Sequence, residues 1–215
     1  VSRVFYAIFR VISMARFSRL AAFLLLVARG PVMAIDEPAH TVVQKYDAFE
    51  VRRYEANLVA EVTVDAPVDE AGNEGFRILA GYIFGKNKGA RKIEMTAPVA
   101  QIPAKIEMTA PVALSASSAG YVIRFSMPTQ WTLETLPEPT DPRVKIWSMP
   151  ARVVAVIVYS GTWSQSRYDE HLNKLKVALD REGLRWIGEP VWARYDPPWK
   201  PWFMRRNEIW LGLTQ

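Results

Sequence analysis

Two stretches of this chain carry an apolar stripe at helical spacing, and each is set among segments whose apolar residues recur at every second position. In the first, Glu70 to Phe84, the residues Phe76, Leu79, Ala80 and Ile83 follow the i, i+3, i+4, i+7 rule for one buried helix face. Gly85 and the polar run Lys86 to Gly89 stop it. In the second, Ser164 to Glu182, the stripe is Tyr168, Leu172, Leu175 and Leu179, closed by Gly183. A helix with one apolar stripe must bury it against something, and the available partners are strands.

The strands are short and punctuated. Leu58 to Val64 alternates cleanly, with Leu58, Ala60, Val62 and Val64 on one face and Glu61 and Thr63 on the other. Tyr46–Tyr54, Tyr121–Met127, Val144–Met149, Arg152–Ser160, Pro190–Tyr195 and Asn207–Leu213 read as further strands. Arg152–Ser160 is nearly all apolar and is expected at the centre of a sheet. The 15 prolines fall mostly between these segments. The order is strands, helix, strands, then strands, helix, strands. It predicts an α+β domain of two similar halves, each a helix laid on antiparallel strands.

One segment is written twice. Residues 92–101 read KIEMTAPVAQ and residues 105–114 read KIEMTAPVAL, nine of ten positions identical. In each copy the apolar residues (Ile93, Met95, Ala97, Val99; Ile106, Met108, Ala110, Val112) alternate, predicting a strand with one apolar face. Pro98 and Pro111 suit edge or bulge positions. Two copies are too few for a solenoid.

The first 34 residues differ from the rest. They hold Arg3, Arg10, Arg16, Arg19 and Arg29 and no acid, then the apolar run Leu20–Ala28 and the small-residue end Val32-Met33-Ala34. Basic, apolar and small-residue regions in that order describe a secretory signal peptide. Arg29 and a second apolar stretch, Val4–Val11, fit that pattern less well, and a start at Met14 gives a more ordinary leader. The alternative is an uncleaved anchor, although nine apolar residues fall short of the ~20 that span a bilayer. The expected domains are therefore 1–34, the leader, and 35–215, an exported and periplasmic domain. Without the leader the 27 Lys and Arg drop to 22, against 22 Asp and Glu, so the basic balance gives no ground for a nucleic-acid surface. With no cysteine, disulfides, thiolate metal sites and thiol catalysis are excluded.

KIEMTAPV, then YVIRFSMP, SMPARVVAVIVYSGTW and YDPPWKPWFMRRNEIWL, occur in an order that resembles the SOUL/haem-binding-protein family. The opening YDAFEVRRYEANLVAEVTV looks like that family's first hairpin, so the resemblance runs over about residues 40–213. The leader resembles that of exported bacterial members. The resemblance implies a distorted antiparallel β-barrel with two helices and two pseudo-symmetric halves, similar to the ligand-binding domains of multidrug-responsive regulators. It also implies binding of haem or another tetrapyrrole in an apolar groove beside the first helix.

On that expectation the groove is lined by Phe76, Leu79, Ala80 and Ile83, although for any one of them ordinary core packing is the simpler reading. Lys88 and Lys92, with Lys86 and Arg91, stand where ligand carboxylates could be met, or are simply a solvated loop. Trp199 and Trp202, with Phe203, form a stiff aromatic loop between prolines that could flank a flat ligand or pack as a corner. The two histidines, His40 and His171, are the candidate axial haem ligands; neither falls in a family motif, and a surface or boundary position suits both. His40 is expected in a mobile N-terminal arm. Met95 and Met108 read as core. The expected role is non-catalytic sequestration or carriage of a small planar apolar ligand. A module for another drug-like or apolar ligand is the first alternative. A hydrolase using Glu94 or Glu107 is the second, set against the simpler reading of both as exposed strand residues. No P-loop, G-x-G-x-x-G, H-E-x-x-H or EF-hand pattern is present.

Overall fold

The computed structural model describes residues 36–104 and 120–214. The expected leader and the second copy of the repeat, with Ile106, Glu107, Met108, Ala110, Pro111 and Val112, lie outside the described residues. The elements run β1 (His40–Lys45), β2 (Glu50–Tyr54), β3 (Asn57–Val64), α1 (Val68–Ile83), β4 (Val99–Pro103), β5 (Tyr121–Ser126), β6 (Lys145–Met149), β7 (Arg152–Tyr159), α2 (Gln165–Arg181), β8 (Trp186–Arg194) and β9 (Asn207–Leu213). A 3-10 turn, Trp202–Met204, separates the last two strands.

All nine strands form one antiparallel sheet in the order β1-β2-β7-β9-β8-β4-β5-β3-β6. Its middle is built twice: β7-β9-β8 repeats, in reverse, the arrangement β4-β5-β3. In each half a strand enters a helix and the two following strands pair with each other (β3, α1, β4, β5; β7, α2, β8, β9), and the halves join where β4 pairs with β8. This is the expected α+β fold: a curled half-barrel with two helices and pseudo-symmetric halves. Arg152–Tyr159 lies between β2 and β9, as its apolar run predicts.

Both helices lie on one face of the sheet. Val99 and Gln101 of β4 stand in register with Phe125 and Ile123 of β5 and with Arg194 and Trp192 of β8, so the six side chains share that face. Ile123 and Phe125 pack with Leu79 and Ile83 of α1; Trp192 packs with Tyr168, Leu172 and Leu175 of α2. The buried stripe of α2 is Tyr168, Leu172, Leu175 and Leu179, as its spacing predicts. Each fully buried leucine contributes about 1.5–3 kcal/mol. Helix α1 approaches more closely: a methyl built on Gly75 would stand 2.2 Å from Ile123 Cγ1, so glycine is what lets the helix backbone lie on β5.

The opposite face of the sheet has its own apolar cluster, Tyr54, Val154, Val156, Ala193 and Trp210. Glu208, fully buried beside it, accepts hydrogen bonds from Arg52 (3.1 and 3.2 Å), Arg206 (2.7 and 3.0 Å), the Tyr195 hydroxyl (2.8 Å) and Trp210 Nε1 (2.7 Å). A buried carboxylate survives only when it is paired and bonded in this way.

Four local expectations differ from the structure. His40 opens β1 rather than a mobile arm, and Tyr46–Phe49 is the turn of the hairpin that β1 makes with β2. Strand β1 pairs on one side only and five of its six residues are exposed, so it carries no buried face to read. The first repeat copy is a strand only from Val99 onward. Before that, Ile93 N–H donates to Ile83 O (2.8 Å) and Ala97 N–H to Asp36 O (2.9 Å), outside any ladder, and Pro98 after a cis bond has no N–H to give. Pro98 therefore precedes β4 and occupies neither an edge nor a bulge, β4 being an interior strand.

Candidate ligand-binding site

A cavity of about 350 Å³ opens between α1, β4, β5 and the loop that follows β8. That volume lies within the range of about 300–1,000 Å³ usual for small-molecule sites. Its walls are mainly apolar. Phe76 projects from α1, Met95 and Val99 come from the first repeat copy, Ile123 from β5, Trp163 from the turn before α2, and Pro197, Pro198 and Trp199 from the loop. Gly72, Asn73, Thr96, Ala97, Gln101, Arg194, Tyr195 and Asp196 complete the lining. A second cavity, on the other face between Arg124, Arg152 and Trp210, has about 30 Å³, enough for about one water.

The aromatic walls are held in place. Trp163 Nε1 donates to Asn207 Oδ1 (2.8 Å), and the Arg205 guanidinium lies 4.6 Å from its ring centroid. Phe76 meets Phe125 edge-on at 5.5 Å and remains 40% exposed, because its ring leans over the cavity rather than into the core. Trp199 is 83% exposed at the mouth. Its loop is stiffened by Pro197, Pro198 and Pro201 and tied down at the base: Asp196 accepts from Lys200 Nζ (2.6 Å) and from the Arg206 N–H (2.5 Å), and Arg205 donates to the carbonyls of Lys200 (2.7 Å) and Pro198.

The polar lining is sparse and directed. The Arg194 guanidinium lies 4.2 Å from the Trp192 ring centroid and 5.1 Å from that of Trp163, so aromatic faces fix its plane. The Tyr195 hydroxyl is committed to Glu208. Burial first, and then the Glu208 charge, push its pKa far above the ordinary phenol range, so it stays protonated.

Of the residues the sequence put forward, Phe76 and Trp199 meet at this cavity. Leu79, Ala80 and Ile83 do not line it: all three are buried, Leu79 and Ile83 in the core with Ile93 and Phe125. The stripe rule finds the core face of a helix, and the cavity sits beside that face. Lys88 pairs with Glu138 (2.6 Å) in the exposed loop after α1; Lys92 is exposed nearby, and neither lines the cavity. Trp202 is exposed in the 3-10 turn, edge-on to Phe203 at 5.7 Å, and is absent from the lining. His40 lies against Tyr54 (4.8 Å between rings) with Nδ1 3.2 Å from Pro38 O. His171, on α2, stacks on Tyr159 at 4.1 Å. Neither imidazole lines the cavity. Glu94 is exposed and outside it, and Glu107 lies outside the described residues. Met95, read as core, packs against the α1 core and also forms part of the cavity wall.

The sequence did not single out Gly72, Gln101, Trp163 or Arg194. The one available signal was the set of three glycines inside a helical pattern, Gly72, Gly75 and Gly81, the first of which lines the cavity, since a helix interior carries glycine at a cost of about 1 kcal/mol unless something must come close.

The residues present fit a flat apolar ring with an anionic edge, through aromatic walls and one guanidinium. For the iron of a haem they offer no imidazole; Met95 supplies a thioether, and Tyr195 is engaged elsewhere.

Fold and cavity together define an α+β half-barrel of the kind that carries an open pocket beside one helix. The chain belongs to the SOUL family: the family model described as SOUL heme-binding protein matches residues 35–212. It is 29% identical over 166 residues to heme-binding protein 1 of Xenopus laevis, covering 76% of this chain and 82% of that relative. It is 30% identical over 167 residues to heme-binding protein 2 of Mus musculus, covering 76% and 77%. Among solved structures, an uncharacterized conserved protein from Listeria innocua shares the fold with a TM-score of 0.57 at 13% identity, covering 85% of this chain and 94% of that one.

Proposed function

We propose that the chain binds haem or a related tetrapyrrole in the cavity beside α1 and holds or carries it without chemical change. The observation that carries this reading is the lining: aromatic and aliphatic walls from five separate segments, with one guanidinium, that of Arg194, held against aromatic rings among them. Family membership and two relatives named for heme binding support it. Bound haem would bring its own iron chemistry. The residues of this chain would bury the ring between Phe76, Trp163 and Trp199 and meet a propionate with Arg194. A non-catalytic role is favoured because the described lining has no nucleophile beside a base. Its only carboxylate, Asp196, is occupied by Lys200 and the Arg206 N–H. The basic-then-apolar leader makes the periplasm the expected place of binding.

A haemin titration followed by absorbance tests this. A saturable, one-to-one Soret shift is expected, and it should survive in both His40→Ala and His171→Ala, since neither ring lines the cavity. Loss of the shift in either variant would move the site away from this cavity. No saturable shift would remove haem as the ligand.

A further inference from the structure

The loop after β8 holds four large apolar side chains in water. Trp199 is 83% exposed, Trp202 54%, Phe203 61% and Met204 58%. The fold fixes them there. Pro197, Pro198 and Pro201 limit the backbone, and the side chain of Arg205 gathers the loop on itself. It donates to the carbonyls of Pro198 and Lys200, on either side of Trp199, and it directly follows the 3-10 turn of Trp202, Phe203 and Met204. The rings of Trp202 and Phe203 meet edge-on at 5.7 Å. Neither Trp199 nor Trp202 gives its indole N–H to a partner among the described residues. A rigid apolar tip whose ring donors are unspent suits a boundary that is apolar on one side and wet on the other.

Area and charge decide what covers it. Aromatic side chains carry about 150–250 Å² each, so at these exposures the four residues present roughly 500 Å², less than the ~800 Å² per partner of a stable protein interface. From Pro197 to Arg206 the chain has Lys200, Arg205 and Arg206 and no acid. Lys200 pairs with Asp196, and Arg206 with Glu208 and Glu37. Arg205 meets only the two carbonyls and the Trp163 ring face among the described residues, so no carboxylate offsets its charge at the base of the tip. Apolar rings over an uncompensated cation complement a lipid surface, which offers acyl chains beneath anionic headgroups.

We propose that the Trp199–Met204 loop docks this protein on an anionic lipid surface, its rings entering the headgroup boundary and Arg205 remaining behind them. Trp199 also lines the cavity, so docking sets the cavity mouth at the bilayer. The proposal stands apart from the identity of the ligand.

The chain has no cysteine, so a single introduced one reports one position. Phe203→Cys on the loop, and Val177→Cys on the exposed side of α2, are each labelled in the full chain with an environment-sensitive fluorophore and mixed with vesicles of phosphatidylcholine and phosphatidylglycerol in equal parts. Far-UV circular dichroism confirms each fold. A saturable blue shift is expected at position 203 and none at 177, which separates docking by the loop from any tethering by residues 1–34. Adding Trp202→Ser should raise the lipid concentration at half-maximal shift at least about fivefold. Phosphatidylcholine alone, or about 0.5 M NaCl, should also raise it severalfold. No shift at 203, equal shifts at 203 and 177, or a midpoint unmoved by Trp202→Ser would overturn the proposal. A shift at 203 that follows protein concentration without lipid would assign the patch to a second copy of the chain and overturn it too. None of these outcomes touches haemin binding in the cavity, which is read separately.

Discussion

The two halves of the sheet repeat one design, yet the larger described cavity lies beside α1, and no residue of α2 lines it. Under α2 every position of the stripe is filled: Tyr168, Leu172, Leu175 and Leu179 are buried, and the Trp192 ring, 4.9 Å from that of Tyr168, occupies the space where the helix meets β8. Under α1 the corresponding strand positions hold Gln101 and Ile123, and the helix sets Gly72 and Gly75 against them. Gly75 brings the backbone onto Ile123, and at Gly72 the ends of Gln101 and Arg194 stand within 3.0 and 3.3 Å of where a side chain would begin. The α2 half packs Tyr168 and Trp192 into its core and lends Trp163 and Trp199 to the cavity wall, while the α1 half turns Phe76 outward over that cavity.

The largest effect should come from breaking the closed half. Leu175→Ala removes a fully buried side chain between α2 and the sheet and should cost about 2–5 kcal/mol in a urea-unfolding experiment, without changing ligand affinity in the protein that remains folded. Phe76→Ala is the converse. Its ring is 40% exposed, so less than about 1.5 kcal/mol of stability should be lost, whereas haemin affinity should fall about tenfold as one aromatic wall disappears. Equal stability losses in the two variants would erase the distinction between the halves.

The smallest effect concerns His171. Its pKa is lowered from the ordinary 6.5, first by burial against Tyr159 and then by Lys174. The unfolded chain therefore takes up a proton more readily than the folded one. The contribution is fully present above the unfolded value and is lost as pH falls through the lower folded value. His171→Gln should flatten the fall in urea midpoint between about pH 7 and pH 5. A variant with the same pH profile as the unsubstituted protein would show that the imidazole is not held unprotonated on α2.

Much of this fold can be read from periodicity because its elements are one-sided. The α2 stripe, the alternation of β3 and the apolar run of β7 each report a surface buried by the sheet, and β9 has the bounds Asn207–Leu213 that its pattern predicts. Strand β1 escaped because an exposed edge strand is held by backbone pairing to β2 and its side chains need satisfy no core. Strand β8 begins earlier than expected, at Trp186. The ladder with β9 shifts between Ile187 and Val191, and Pro190 falls in that interruption, where no N–H is required of it. The cavity was only partly legible. Phe76 and Trp199 stand out as aromatic residues beside breakers. Gln101 and Arg194 lie far apart in sequence on strands that pair only through the β4–β8 junction, and no local pattern brings them together. Leu79, Ala80 and Ile83 illustrate the converse: helical spacing identifies what a helix buries, and a ligand site is what it leaves unburied.

The most direct test of the central claim is amide hydrogen exchange followed by mass spectrometry with and without haemin. Added protection confined to residues 72–76, 95–101 and 194–199, with none along Tyr168–Leu179 of α2, is the predicted result. Protection centred on α2 and His171, or none at any of these segments under saturating haemin, would contradict it.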